Sequence, residues 1–284
     1  MGRFQVRTDL ALEERERFEE DVEIRGVAIE EQYDEKNDIR VTKVSIETEN
    51  GAKAMGKPVG TYITLEAPRL SDPDEGYHRE VSEKLAEYLC SLMGTKEEKS
   101  VLVVGLGNRD VTPDALGPEV VENLKITRHV VREYGRAAFG KEKVHLVSGI
   151  VPGVMAQTGM ETLEIIRGVV EETAPDLVVA VDALAARSSR RLNRTIQISD
   201  AGIHPGSGVG NHRNSLTRET TGVPVVAIGV PTVVDAATIV YDATGGREAI
   251  LPNLNSMFVT PKDIDETIKR LSFTIAEALN LALA

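Results

Sequence analysis

The chain reads as an α/β protein: a largely parallel twisted sheet flanked by helices, phosphorylase- or hydrolase-like, with a β-rich elaboration at its N-terminus. Three observations predict this. Short, continuously apolar runs recur at 101–104, 144–147, 177–181, 196–198 and 223–228, as strands buried on both faces do. Segments with helical apolar spacing alternate with them. Strand-like alternation is confined to the first quarter of the chain, at Ile39, Val41, Val44 and Ile46 and again at Tyr62, Ile63 and Leu65.

In chain order, residues 13–38 are charge-rich and read as a solvated segment, since close like charges resist burial. Two half-buried strands follow, joined across Asn50-Gly51 and the 56–60 stretch. The chain turns between Pro68 and Pro73. Val81, Leu85, Leu89 and Leu92 then mark a helix over 77–93 that Gly94 stops. Strand 100–105 opens a strand, glycine-rich turn, helix pattern, its helix spanning 116–131. The last helix has Thr260 as N-cap, Pro261 at its first position, Asp263 in its first turn and a stripe of Ile264, Ile268, Leu271, Ile275 and Leu279. No tandem repeat or low-complexity linker divides the chain, so one α/β domain is expected.

Composition narrows the function classes. Among 284 residues, 33 Lys and Arg stand against 45 Asp and Glu, a net charge of −12; a general nucleic-acid binder needs a basic stripe instead. Hydrophobic residues at 41% suffice for a sizeable core. Cys90 is the single cysteine, which excludes an internal disulfide framework and a multi-thiolate zinc site. No stretch offers the apolar length of a signal peptide or a membrane span, so a cytoplasmic protein with no membrane or nucleic-acid partner is expected.

Open α/β sheets bind ligands at the carboxyl ends of their strands. Two loops there carry carboxylates: 105–118, containing Asp114, and 182–187, beginning with Asp182. Gly105 and Gly107 imitate a dinucleotide fingerprint, but Asp110 stands where the third glycine belongs and would repel a pyrophosphate. There is no P-loop and no H-E-x-x-H pair; Gly206-Ser207-Gly208 lacks the register of a serine nucleophile elbow. The loop from His204 to Asn211, flanked by His212, reads either as a mobile surface loop or as a place where backbone approaches a ligand. Cys90 reads as a small core residue. No metal ligand set and no cofactor site is expected.

That leaves paired carboxylates. Asp114 and Asp182 lie 68 residues apart, a spacing that can return two strands to one sheet edge. Facing each other, one would hold its proton while the other stayed ionised, able together to activate water and polarise a peptide carbonyl. The plainer readings make Asp114 a turn or N-cap residue and Asp182 the cap of a following helix.

The motifs Val103-Val104-Gly105-Leu106-Gly107-Asn108, Thr112-Pro113-Asp114-Ala115-Leu116-Gly117-Pro118, Pro152-Gly153-Val154-Met155, Val181-Asp182-Ala183-Leu184-Ala185-Ala186-Arg187, Gln197-Ile198-Ser199-Asp200, the run from Gly202 to Asn211 and Gly229-Val230-Pro231-Thr232 resemble the germination protease of bacterial endospores over nearly the whole chain. The resemblance implies an aspartate-dependent endopeptidase that starts degradation of small acid-soluble spore proteins in the spore core. It implies Asp114 and Asp182 as the catalytic pair, a homotetramer, and a fold related to hydrogenase-maturation endopeptidases. It also implies a self-processing zymogen: residues 1–9 as pro-segment, 10–284 as peptidase domain, and cleavage between Asp9 and Leu10, where acidic, aliphatic, alanine order resembles the substrate sites. The pro-segment is shorter than expected for the family and the 241–257 region more compact. The alternatives are a metal-guided maturation peptidase and a non-catalytic protein that holds a small anion in its glycine loops.

Overall fold

The computed structural model describes residues 8–18, 24–95, 97–140, 143–203, 214–244, 254 and 257–284. Its strands are β1 (Val27–Asp34), β2 (Ile39–Ile46), β3 (Gly60–Glu66), β4 (Ser100–Gly105), β5 (Leu146–Ile150), β6 (Leu177–Ala186), β7 (Thr195–Ser199), β8 (Val225–Asp235) and β9 (Phe258–Val259). The helices are α1 (Ala11–Arg15), α2 (Glu49–Met55), α3 (Glu75–Met93), α4 (Leu116–Glu122), α5 (Arg128–Tyr134), α6 (Met155–Thr158), α7 (Thr162–Thr173), α8 (Arg218–Thr221), α9 (Ala236–Ala243) and α10 (Ile264–Ala282). One mixed sheet runs in the order β1-β2-β3-β7-β8-β6-β4-β5, with β9 on β8. The strands β8, β6, β4 and β5 pair in parallel. The N-terminal meander continues the same sheet through antiparallel pairs to β7 and then β8.

The core lies on both faces of this sheet. On one, Val101, Val103, Val179, Val181, Val226 and Ile228 pack with α3, α4 and α10. On the other, Leu102, Val104, Ala180, Leu184 and Ala227 pack with Ile166 and Val170 of α7, with Leu216, and with Leu10 from the N-terminal segment.

Several expectations change. Residues 13–38 are not uniformly solvated: 27–34 form an edge strand whose side chains are mostly exposed, and Glu13 is 1% exposed. As the edge strand, β1 pairs only with β2 among the described residues, a position that tolerates exposed charge, which also resists pairing with another chain. The link between β2 and β3 contains α2, capped by Thr48 at one end and left-handed Gly56 at the other. The single helix over 116–131 is two, α4 and α5. The strand β7 is buried throughout yet antiparallel to both neighbours. The last helix starts at Ile264 rather than Pro261, because the Thr260 hydroxyl donates to the Thr232 carbonyl at 2.8 Å instead of capping. In contrast, α3 is capped by Asp74, whose carboxylate accepts the Tyr77 amide, and ends at left-handed Gly94.

Candidate active site

The site grows from a mismatch in strand length. The strand β4 ends at Gly105, opposite Val181 of β6, but β6 continues beside β8 through residues 182–186. Asp182 is thus inside a strand, at the level where its neighbour stops, and caps no helix. The Leu106 amide donates to the Val181 carbonyl at 2.8 Å, closing the β4 side. Beyond it the edge of β6 has no strand partner among the described residues, and its peptide groups bond otherwise. The Ala183 amide donates to the Asp182 carboxylate at 2.9 Å. The Ala185 amide donates to the Asp9 carboxylate at 2.9 Å, and the Asp9 amide returns a bond to the Ala185 carbonyl at 3.0 Å. Asp182 is 4% exposed. By the two-residue period of a strand it shares a face with Ala180 and Leu184, the face that holds Leu10.

Asp114 reaches the same end of the sheet from the loop after β4. Thr112, Pro113 and Asp114 form one 3₁₀ turn, tied to β8 by the Thr232 hydroxyl, which donates to the Pro113 carbonyl at 2.7 Å. The Asp114 carboxylate accepts the Asn108 amide at 2.7 Å. This close fold-back needs Gly107, whose φ is +111° and where a Cβ would stand 2.0 Å from the Asp114 carbonyl oxygen. Asp114, in the loop after β4, and Asp182, within β6, are therefore both placed by the carboxyl end of β4.

The predicted processing junction is here as well. Asp9 lies against the edge of β6 through its two bonds to Ala185, Leu10 is fully buried, and α1 begins at Ala11. A small cleft lined by Asp9, Lys57, Tyr62, Leu184, Gln197 and Gly229 surrounds the junction; Gly229 is the β8 partner of Asp182. The Lys57 ammonium donates to the Asp9 carbonyl at 2.9 Å and to the Thr8 carbonyl at 3.4 Å. Burial pushes the Lys57 pKa below the usual lysine range, while the nearby Asp9 and Glu14 carboxylates oppose this. Gln197 holds the segment twice: its carbonyl oxygen accepts the Ala11 amide at 2.7 Å and its NH₂ donates to the Asp9 carbonyl at 3.3 Å.

Glu13 fastens the far end. Its carboxylate accepts the Thr8 hydroxyl, the Arg187 and Ser188 amides at 2.7 and 3.0 Å, and lies 3.4 Å from the Arg191 guanidinium. Arg191 also pairs with Glu16 and Glu66.

The sequence reading missed Lys57, Gln197 and this role of Glu13. Only Gln197 left a signal, a polar residue alternating with Ile196 and Ile198 and hence directed to the opposite face. The loop from His204 to Asn211 and His212 lie outside the described residues. Of the other histidines, His78 is a buried structural group, bonded to Thr274 and the Asp72 carbonyl. Cys90 is partly buried against the core. Among the described residues no three His, Cys, Asp or Glu side chains cluster as metal ligands, and no helix is long and apolar enough to cross a membrane.

Comparison with known proteins gives one consistent result. Residues 6–245 match the family described as germination protease. A germination protease of Caldanaerobacter subterraneus subsp. tengcongensis is 47% identical over 98% of this chain and 94% of its own length. One from Clostridium perfringens is 45% identical over 99% of this chain and 95% of its own length. A solved [NiFe] hydrogenase maturation protease, HycI, from Thermococcus kodakarensis KOD1 is 22% identical over 66% of this chain and 97% of that one, with a TM-score of 0.35, too slight a likeness to argue from.

Proposed function

The chain belongs to the germination protease family and is a peptidase, and on that premise we propose that it is an aspartate-dependent endopeptidase that trims its own N-terminus between Asp9 and Leu10. Its further substrates are small acid-soluble spore proteins, degraded in the spore core. The observation that carries this reading is the seating of the Asp9–Leu10 junction along the unpaired edge of β6, on the face to which Asp182 belongs. A peptide held by main-chain bonds at a strand edge is extended and presented in a fixed register.

In the proposed reaction one carboxylate of the Asp114 and Asp182 pair takes a proton from water. The water oxygen bonds to the Asp9 carbonyl carbon, the carbon–nitrogen bond to Leu10 breaks, and the other carboxyl group supplies the proton to the leaving amine. Asp182 is buried beside the Ala183 amide and Asp114 is bonded to the Asn108 amide, so each carboxyl group has a fixed orientation before substrate arrives. The proposed enzyme is a homotetramer, for which Phe273 and Leu281, exposed on α10, offer an apolar surface.

Asp182→Asn tests the mechanism. The exchange keeps shape and removes the ionisable group. We expect trimming, followed by intact mass, and cleavage of a spore-protein substrate to fall by a factor of at least about 10², with the thermal unfolding profile retained. Undiminished cleavage would refute the aspartate mechanism, and a wild-type chain that never loses residues 1–9 would refute self-processing.

A further inference from the structure

We propose that Lys57 and Gln197 are the carbonyl-polarising pair for hydrolysis of the Asp9–Leu10 bond, stabilising the negative charge that develops on the Asp9 oxygen. The inference rests on the reading that this bond is cut, and goes beyond it by naming the groups that polarise the carbonyl under attack. Its ground is that both side chains donate to that one oxygen, Lys57 at 2.9 Å and Gln197 at 3.3 Å.

An ordinary carbonyl in a docked loop needs one partner. This oxygen has two side-chain donors from different parts of the sheet: Lys57 from the segment before β3, and Gln197 from β7. The orientation of Gln197 is set independently. Its carbonyl oxygen accepts the Ala11 amide at 2.7 Å, which leaves the NH₂ group for Asp9. Gln197 is buried, where a donor aimed at a developing charge acts with less screening than in open water. Lys57 stands over the same cleft and also meets the Thr8 carbonyl at 3.4 Å.

When the water oxygen bonds to the Asp9 carbon, the carbonyl π electrons move to the oxygen, and the two N–H donors share that charge. Collapse returns the electrons, breaks the bond to the Leu10 nitrogen, and leaves the Asp9 carboxyl group and a Leu10 amine once the nitrogen has received its proton. No further reactant is needed.

The test uses the full chain and two readouts: the first-order rate of trimming by intact mass, and hydrogen exchange at the Asp9 and Ala11 amides, which reports whether the segment stays seated. Lys57→Met and Gln197→Glu are each expected to slow trimming about 10²-fold with both amides still protected. Gln197→Glu keeps an acceptor for Ala11 and loses the donor to Asp9. Lys57→Arg, which restores a cationic donor, should recover part of the rate. Trimming at the wild-type rate in Lys57→Met and Gln197→Glu overturns the proposal. So does loss of rate accompanied by loss of protection, which would make the pair a clamp for the segment only. Asp182→Asn run alongside separates the two ideas. If it trims normally while Lys57→Met is slow, the aspartate reading falls and the donors stand; the reverse result removes the donors alone.

Discussion

Gly117→Ala probes how tightly the turn carrying Asp114 is fixed to the sheet. Gly117 is the second residue of α4, and a Cβ there would stand 2.3 Å from the Leu106 carbonyl oxygen, 2.5 Å from the Leu106 nitrogen and 2.5 Å from the Val181 carbonyl oxygen. All three are backbone atoms, two just past the end of β4 and one within β6 beside it, so no side chain can swing aside. Relief to ordinary contact requires the start of α4 to back away by about 1 Å, an overpacking strain of roughly 1–3 kcal/mol that should fall at the upper end. The displacement also strains the Leu106 to Val181 hydrogen bond, worth about 1 kcal/mol. A total of about 3–4 kcal/mol is a large part of the roughly 5–15 kcal/mol that holds a typical domain. Asp114 lies three residues earlier and moves with the turn, and a 1 Å misplacement at a reacting group can cost about 10²-fold. Urea unfolding should show a lower midpoint with unchanged slope, and peptidase activity should fall even where the variant is fully folded. An unchanged midpoint with unchanged activity would refute the claim that α4 is pinned against the strand ends.

Gly168→Ala should do the opposite: Gly168 is exposed within α7 and a Cβ there meets nothing within 4 Å, so a gain of about 0.5–1 kcal/mol is expected in urea unfolding, and a loss would contradict the open helix surface. His145 supplies a pH dependence. Burial pushes its pKa below the usual histidine range, and its Nδ1 accepts the Lys99 amide at 3.1 Å, a role that protonation abolishes. The unfolded chain therefore takes the proton first, so stability is lost as the pH falls from about 6.5 to the native pKa and levels off below it. His145→Gln should flatten this part of the stability profile relative to wild type; parallel profiles would remove His145 as the cause.

The two long helices were the most legible elements, and for a common reason: each has one apolar stripe facing one partner. The pair α3 and α10 pack on the same side of the sheet, so periodicity and burial agree. Strand direction was not legible. Every residue of β7 is buried, which reports cover on both faces and says nothing of whether neighbours run parallel. Asp182 was placed one step past its strand because an apolar run ends where a carboxylate interrupts it, although the backbone pairing with β8 continues to Ala186. The interruption was itself the useful signal, since a buried charge inside a strand is tolerated only where other groups stabilise it or chemistry uses it. Asp182 interrupts one apolar strand run and Asp114 lies in the loop that follows another, which is why the sequence singles them out; Lys57 belongs to no periodic element and gives no such signal.

Glu13 shows why the N-terminal segment deceives a reading based on charge. An ionised carboxylate buried without partners is strongly unfavourable, so the acidic stretch around it looked solvated. Its donors are local and non-local together: the Thr8 hydroxyl, five residues earlier, and the Arg187 and Ser188 amides just beyond the end of β6. Those amides are available because β6 outruns β4 and its edge has no strand partner there among the described residues. The same overhang receives Asp9 through Ala185. Register therefore follows from two fixed points, Glu13 at the exit of β6 and Asp9 at its edge, with Leu10 buried between them. A one-residue slip would put Leu10 against the polar edge and draw Glu13 away from its donors. The carbonyl that meets Lys57 and Gln197 is thereby selected by a buried acid four residues downstream.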